Sequence, residues 1–319
     1  MKIGHELGLL EEEKAIALLI DRLSENHSQR PFLEAQLHRI SAGMRGEQRM
    51  KKKFEEFYSN ETFHVLWNVR LQLNNWKVQM DGLLLTESGA LILESKNISG
   101  KIYFDPATEE FYRINNNEEK TVMENPVVQL EKHKRFLRIY LDLLGIDLPV
   151  NGLIVFTSKK CEIMNKPPNT AICKTYQMNN YLYQILQTFP QKYAPALLKD
   201  VKFKIEENQI QYRQQPLCEL YHIPYEDLET GISCQMCNNR SMRRVRKSWN
   251  CIFCGYRDPK AHILAINEYF SLMGPSVDNR TFRNFCQIES IFVASRLLAS
   301  MDLERIGPPK KRVYRLKEA

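Results

Sequence analysis

The chain reads as an α/β protein built around a mixed sheet, and three features predict it. Apolar runs of strand length alternate with stretches whose apolar residues recur every three or four positions, the pattern of strands interleaved with helices. Residues 150–157 form a continuous apolar run, as expected of a strand buried on both faces. The last third differs in kind, with two close cysteine pairs followed by short amphipathic segments. The 319 residues, 43% hydrophobic and 10% aromatic, leave room for two or three domains with a substantial core.

Taken in order, residues 1–40 are expected to be helical, with Leu9, Leu10, Ile16, Leu19, Ile20 and Leu23 on one face. A polar break at 24–30 precedes a second helix opened by Pro31 and running through Leu37 and Ile40. This extension would bracket the core or make a homo-oligomeric contact. A separate helix is expected from about residue 46 to 58, with Met50, Phe54 and Phe57 on its inner face. Strands come next at 65–73 and 101–105, and 113–124 reads as a polar loop. Asn125-Pro126 opens a helix whose stripe Val128, Leu130, Phe136, Leu137 and Leu141 is expected to be core. The 150–157 strand, another near 170–175 and a helix at 179–188 complete the α/β pattern, and 201–230 connects it to the cysteine-bearing C-terminal part.

Between the first strands lies the most informative stretch. Gln79 to Thr86 and Ala90 to Asn97 flank the turn Glu87-Ser88-Gly89, which predicts a β-hairpin. Asp81 and Glu94 then fall close across the two strands. Glu94 and Lys96, two residues apart, share a face. Two carboxylates and an ammonium on apolar strands can seat a divalent ion, the requirement of phosphodiester hydrolysis. The competing reading is a surface salt bridge; Leu91-Ile92-Leu93 opposes it, because unpaired charge on a buried strand is expensive.

Asp81 followed by Glu94-Ser95-Lys96 resembles the PD-(D/E)xK nuclease superfamily. Gly46-Glu47, Gln79-x-Asp81, Glu94-Ser95-Lys96-Asn97-x-x-Gly100 and Asn125-Pro126-x-x-Gln129 more closely resemble the NERD (nuclease-related) domain, in the family's order. Met80 stands where the superfamily usually has proline. The resemblance spans residues 41–200 and implies a restriction-endonuclease-like core that uses Mg2+ or Mn2+. It implies that Asp81 and Glu94 hold the metal, Glu47 is a third acid and Lys96 positions water or stabilises the transition state. Gln79 and Gln129 are supporting residues. Glu47 also fits a plain helix-start carboxylate, and Gln129 fits either a phosphate contact or an exposed side chain.

The charge is uneven. Of the net +7, residues 231–319 carry 16 Lys/Arg against 7 Asp/Glu, which suggests an appended module for a polyanion, above all nucleic acid. Cys234, Cys237, Cys251 and Cys254, spaced C-x2-C-x13-C-x2-C, predict a structural Zn2+ ribbon over 231–258. Arg240, Arg243, Arg244, Arg246 and Lys247 lie between its knuckles without an acid among them and are candidate phosphate contacts. Trp249 fits either an unpaired base or the small core, and core is the reading adopted. Residues 259–319 offer three helices, then Lys310, Lys311 and Arg312 as a basic wing tip before a strand at 313–316. That order resembles a winged helix-turn-helix, in which Ser290, Ser295 and Arg296 would face DNA while Ile291, Val293, Leu297 and Leu298 are core. A helical protein-interaction tail is the competing reading.

No apolar run approaches membrane-spanning length and no signal sequence is evident, so a cytoplasmic chain is expected. The functional expectation is a metal-dependent nuclease, acting on DNA and targeted by the ribbon and winged helix. The alternative is a non-catalytic nucleic-acid-binding or regulatory protein on a degenerate nuclease fold.

Overall fold

The computed structural model describes residues 7–190, 192–210 and 215–317, with every side chain among them except that of Lys310. The chain divides into two compact units, one formed by Met1–Ile40 with Arg213–Ala319 and the other by Ser41–Tyr212. Among the described residues no helix is long and apolar enough to cross a membrane.

Helix α1 (Glu12–Arg22) buries Ala15, Ile16, Leu19 and Ile20, as its spacing predicts. Helix α2 (Arg30–Phe54) corrects one expectation: it is a single 25-residue helix, not two. Gly43 and Gly46 both lie within it. Its residues 30–40 belong to the first unit and the rest to the second.

The second unit is layered around a mixed five-stranded sheet, ordered β1 (Phe63–Leu73), β2 (Trp76–Thr86), β3 (Gly89–Lys96), β7 (Val150–Phe156) and β9 (Ile172–Lys174). The first three strands are antiparallel neighbours, whereas β3, β7 and β9 run parallel. Such parallel neighbours require crossover connections, and the one from β3 to β7 carries a helix. Helix α3 (Pro126–Leu143) joins β3 to β7 on one face, and its Leu130, Phe136, Leu137 and Leu141 fill a core with Ile92 and Ile154. Asn125 caps it by accepting from the Val127 N–H at 3.0 Å. Val128, expected in the core, is exposed instead, because the buried stripe passes through Leu130 and His133. Helix α5 (Pro195–Glu207) adds Val201 and Ile205 to the same core. On the other face Met50 and Phe54 of α2 pack with Leu91, Leu93, Leu153 and the Met178, Leu182 and Ile185 of α4 (Met178–Leu186).

A second, four-stranded sheet is ordered β6 (Lys120–Met123), β5 (Phe111–Ile114), β4 (Gly100–Phe104) and β8 (Cys161–Ile163). The expected polar loop at 113–124 is therefore a hairpin: Asn115 and Glu118 close a tight turn that short strands can use despite their polar composition. Gly100 opens β4 at φ +98°, and a Cβ there would lie 2.5 Å from the Ile114 carbonyl oxygen, so no other residue fits.

The first unit has two cores. In one, α1, the start of α2 and α6 (Leu217–Leu220) pack together, with Leu272 completing the cluster. The other unites the strands β10 (Met242–Val245), β11 (Ser248–Cys251) and β12 (Arg257–Asp258) with the helical segment after them. That segment runs α7 (Ala261–Leu272), β13 (Ser276–Asp278), α8 (Asn279–Cys286), α9 (Ile291–Ser300), β14 (Leu303–Ile306) and β15 (Val313–Leu316). Strand β15 lies between β13 and β14. The N-terminal segment is fastened to α7 within this unit. The Gly8 N–H donates to Asn267 and the Leu10 N–H to Ser271, and Arg22 reaches Glu268.

Candidate metal centre and nucleic-acid interface

The acidic centre forms where β2 and β3 part. The ladder pairs Leu83 with Ile92 and Gly82 with Leu93, so Asp81 and Glu94 are next in register. Asp81 Oδ2 accepts from the Ser95 N–H at 2.8 Å and pins that end of the hairpin, while Oδ1 remains for other work. The β1–β2 ladder skips this position: Trp67 pairs with Gly82 and Val69 with Met80, and Asn68 between them adopts φ +56°. The ladder is thus interrupted directly opposite Asp81. Gln79, exposed, accepts from Arg70 Nε at 3.2 Å across the same ladder.

Glu94 is buried, 1% exposed. Its Oε1 lies 2.6 Å from His133 Nδ1, and its Oε2 accepts from Gln129 Nε2 at 3.4 Å. Lys96 Nζ donates to Gln129 Oε1 at 2.6 Å. Gln129 therefore bridges the acid and the ammonium, its amide to one and its carbonyl to the other. Burial raises the Glu94 carboxyl above its ordinary range; the His133 bond opposes this and the charge of Asp81 adds to it. Burial also raises Glu47, and Asp81 and Glu94 push it further, while Lys51 and Arg70 work against them. Glu47, Asp81 and Glu94 thus share one electrostatic neighbourhood.

Glu47 is delivered there by a close approach of α2. Gly46 is buried, and a Cβ on it would meet Asn97 Cβ and Thr157 Oγ1, each at 2.8 Å. Asn97 donates from Nδ2 to the Ala42 carbonyl at 2.6 Å and accepts from Arg49 at 3.1 Å, which ties α2 to the end of β3. The oxygen donors suit a hard cation, which takes only one or two carboxylates and completes its shell with water and phosphate. Among the described residues, the four cysteines alone bring three or more Cys, His or acidic ligand atoms close enough together to share one ion, so Glu47, Asp81 and Glu94 do not form such a three-acid cluster.

Sequence reasoning missed His133. The signal was present, since His133 follows Gln129 by four residues in a capped helix and so shares its face. Asn68 and Arg70 were missed as well, and no pattern in the sequence marks Asn68.

At the ribbon, Cys234, Cys237, Cys251 and Cys254 converge, with Sγ separations of 3.6 Å for 234–254 and for 237–251. Tetrahedral sulfurs about 2.3 Å from zinc would stand roughly 3.8 Å apart, so the cluster can hold Zn2+. The two knuckles repeat one geometry: Asn238 at φ +60° and Gly255 at φ +72° each follow the second cysteine of a pair. Asn and Gly are the residues that enter this region at least cost.

The basic residues separate. Arg240 turns inward, paired with Asp21 Oδ2 at 2.6 Å and Glu229 Oε2 at 3.1 Å, and is withdrawn from any phosphate-facing set. Arg244 lies over the Trp249 ring at 5.3 Å, and Trp249 is fully buried with its Nε1 donating to His262. Arg243, Arg246, Lys247 and Lys311 are exposed and Arg312 is half-buried; the Lys310 side chain lies outside the described set. On α9, Ala294, Leu297 and Leu298 are buried and Ser295 and Arg296 exposed. Ile291, expected in the core, is exposed because it opens the helix beside the Ser290 cap.

Residues 42–157, just over a third of the chain, match the family model described as nuclease-related domain, and this stretch includes Glu47, Asp81, Glu94, Lys96, Gln129 and His133. No curated protein and no solved structure matches the chain.

Proposed function

We propose that this chain, with a nuclease-related domain at residues 42–157, is a metal-dependent nuclease hydrolysing phosphodiester bonds in DNA. The observation that carries the reading is the adjacency of Asp81 and Glu94 on neighbouring hairpin strands, with Gln129 linking Glu94 to Lys96. Asp81 and Glu94 are the proposed ligands for Mg2+ or Mn2+, with Glu47 completing the acidic set. When bound, such an ion offsets phosphoryl charge and makes a coordinated water more nucleophilic. The remaining work belongs to the side chains. Lys96, held by Gln129, orients the attacking water or offsets the charge that develops on the transferred group. His133 fixes the Glu94 carboxylate through Oε1, and Gln129 touches Oε2.

The ribbon (231–258) and the segment 259–319 serve as the substrate-holding modules. The order helix, strand, helix, helix, strand, strand, with β15 central in its sheet, supports a winged-helix reading. In such a module α9 enters the major groove through Ser295 and Arg296, and the wing bearing Lys310, Lys311 and Arg312 meets backbone. Arg243, Arg246 and Lys247 add phosphate contacts, so affinity should fall steeply with salt.

The test is cleavage of supercoiled and linear DNA with Mg2+ or Mn2+, comparing wild type with Asp81→Ala and Glu94→Ala after zinc content and melting confirm folding. Metal-dependent cutting lost in both variants supports the reading. A folded wild type that binds DNA without cutting it under any condition overturns catalysis and leaves a binding protein.

A further inference from the structure

The ribbon carries an apolar surface that neither its fold nor its phosphate contacts use. Met236 in the first knuckle is 73% exposed, and Ile252 and Phe253 in the second are 66% and 72% exposed. The knuckles face each other across four sulfurs that lie within 4.8 Å, so these three side chains crown one end of the ribbon. Large apolar groups clustered in the open mark a binding surface more often than chance exposure. The core does not need them: Trp249, Met242 and Ile232 already fill it.

The residues beside the patch identify its occupant. Arg243 pairs with Asn250, one residue before the cysteine that opens the second knuckle. Arg243 and Val245 share the outward face of β10, and Arg246 and Lys247 form the exposed two-residue turn at its far end. Residues 231–258 hold six Lys/Arg and a single acid, Asp258, which is buried. An aromatic and aliphatic tip at one end of the ribbon, with exposed cations running from Arg243 to the turn at the other end, suits a polyanion that also presents flat apolar faces. Duplex DNA hides its base faces in the stack, so its backbone would leave Phe253 and Ile252 without contacts. A single strand offers both groups.

We infer that the knuckle tips form a base-stacking platform for unpaired nucleotides, with Phe253 and Ile252 against the bases and Arg243, Arg246 and Lys247 along the phosphates. Resting on the nuclease reading, the inference gives it a substrate preference: DNA with a single-stranded segment, as at an end, gap or flap.

The experiment measures binding of fluorescent oligo(dT) and of a duplex of equal length by the zinc-loaded full chain, without added divalent salt. Combining Phe253→Ala with Ile252→Ser should weaken oligo(dT) binding about tenfold or more while duplex binding changes little. Phe253→Trp should retain wild-type affinity. Replacing Arg243, Arg246 and Lys247 together by Ala should weaken both ligands. Unchanged oligo(dT) affinity in the zinc-loaded double variant would overturn the platform, as would equal losses for both DNAs. A wild-type dimer that the double variant dissolves, with oligo(dT) affinity intact, would reassign the patch to self-association. Plasmid cleavage by wild type is read separately, so a failed platform and a failed nuclease reading remain distinguishable.

Discussion

In each unit a buried acid is held by a buried cationic or imidazole group, Glu268 by Arg22 and Glu94 by His133, and the two pairs are finished to different degrees. Arg22 is 1% exposed and four of the five N–H groups of its guanidinium are engaged: Nε and Nη2 donate to Glu268 Oε2, Nη1 to the Glu229 carbonyl at 2.6 Å and Nη2 to the Gly231 carbonyl. The Phe285 ring lies under it at 4.3 Å. Glu94, by contrast, has one short contact, from His133, and one long one, from Gln129, and Asp81 and Glu47 add like charge around it. Arg22–Glu268 is complete in itself, which is how a fastening looks. The Glu94 cluster is short of positive charge, a shortfall that the proposed Mg2+ or Mn2+ would relieve.

The contrast breaks first at Arg22. Arg22→Ala leaves Glu268 buried and alone, and should cost about 3–5 kcal/mol in the unit that contains it, read from chemical denaturation. A loss below about 1 kcal/mol would mean the pair is no fastening. His133→Ala should act differently. Leaving Glu94 Oε1 unsatisfied costs about 1–3 kcal/mol, but the larger sign is functional, a fall in divalent-ion affinity of about 10–100-fold by calorimetry. Unchanged ion affinity would show that His133 only packs.

Gly46→Ala tests the delivery of Glu47. The new methyl must displace Asn97 or Thr157, at about 1–3 kcal/mol of overpacking, and cleavage should fall as α2 lifts away from β3. Wild-type melting and activity in this variant would show that the contact yields freely.

The smallest effect is in pH. Glu47 and Glu94 are raised above the ordinary 4.5, so the metal-free fold binds more protons than the unfolded chain between the two values. Their contribution to stability is fully present below 4.5 and is lost as pH rises through the folded values. Adding Mg2+ should flatten or reverse that slope in thermal melts. A metal-free slope of opposite sign attributable to these two residues, isolated with Glu47→Gln and Glu94→Gln, would contradict the description of the cluster.

Much of this arrangement was legible in the sequence because short-range rules determine it. The turn at Glu87-Ser88-Gly89 sets the register that brings Asp81 to Glu94, and the spacing of the four cysteines requires two facing knuckles. The features that escaped depend on tertiary packing. Gly46 lowers helix propensity by about 1 kcal/mol, yet α2 continues through it because only a bare Cα clears Asn97 and Thr157. Arg240 pairs with two acids that lie outside the ribbon, so local charge counting placed it on the surface. His133 has no ligand spacing with another His or Cys; its partner is a strand residue 39 positions away.

Gln129 and His133 stand a single turn apart on α3. Between them they grip Glu94 and Lys96, the acid and the base, from one rigid rod. A slip of α3 by one residue, about 1.5 Å, would release both at once. Glu94 and Lys96 are thus geared to a single shaft, and whatever shifts that helix disturbs both together.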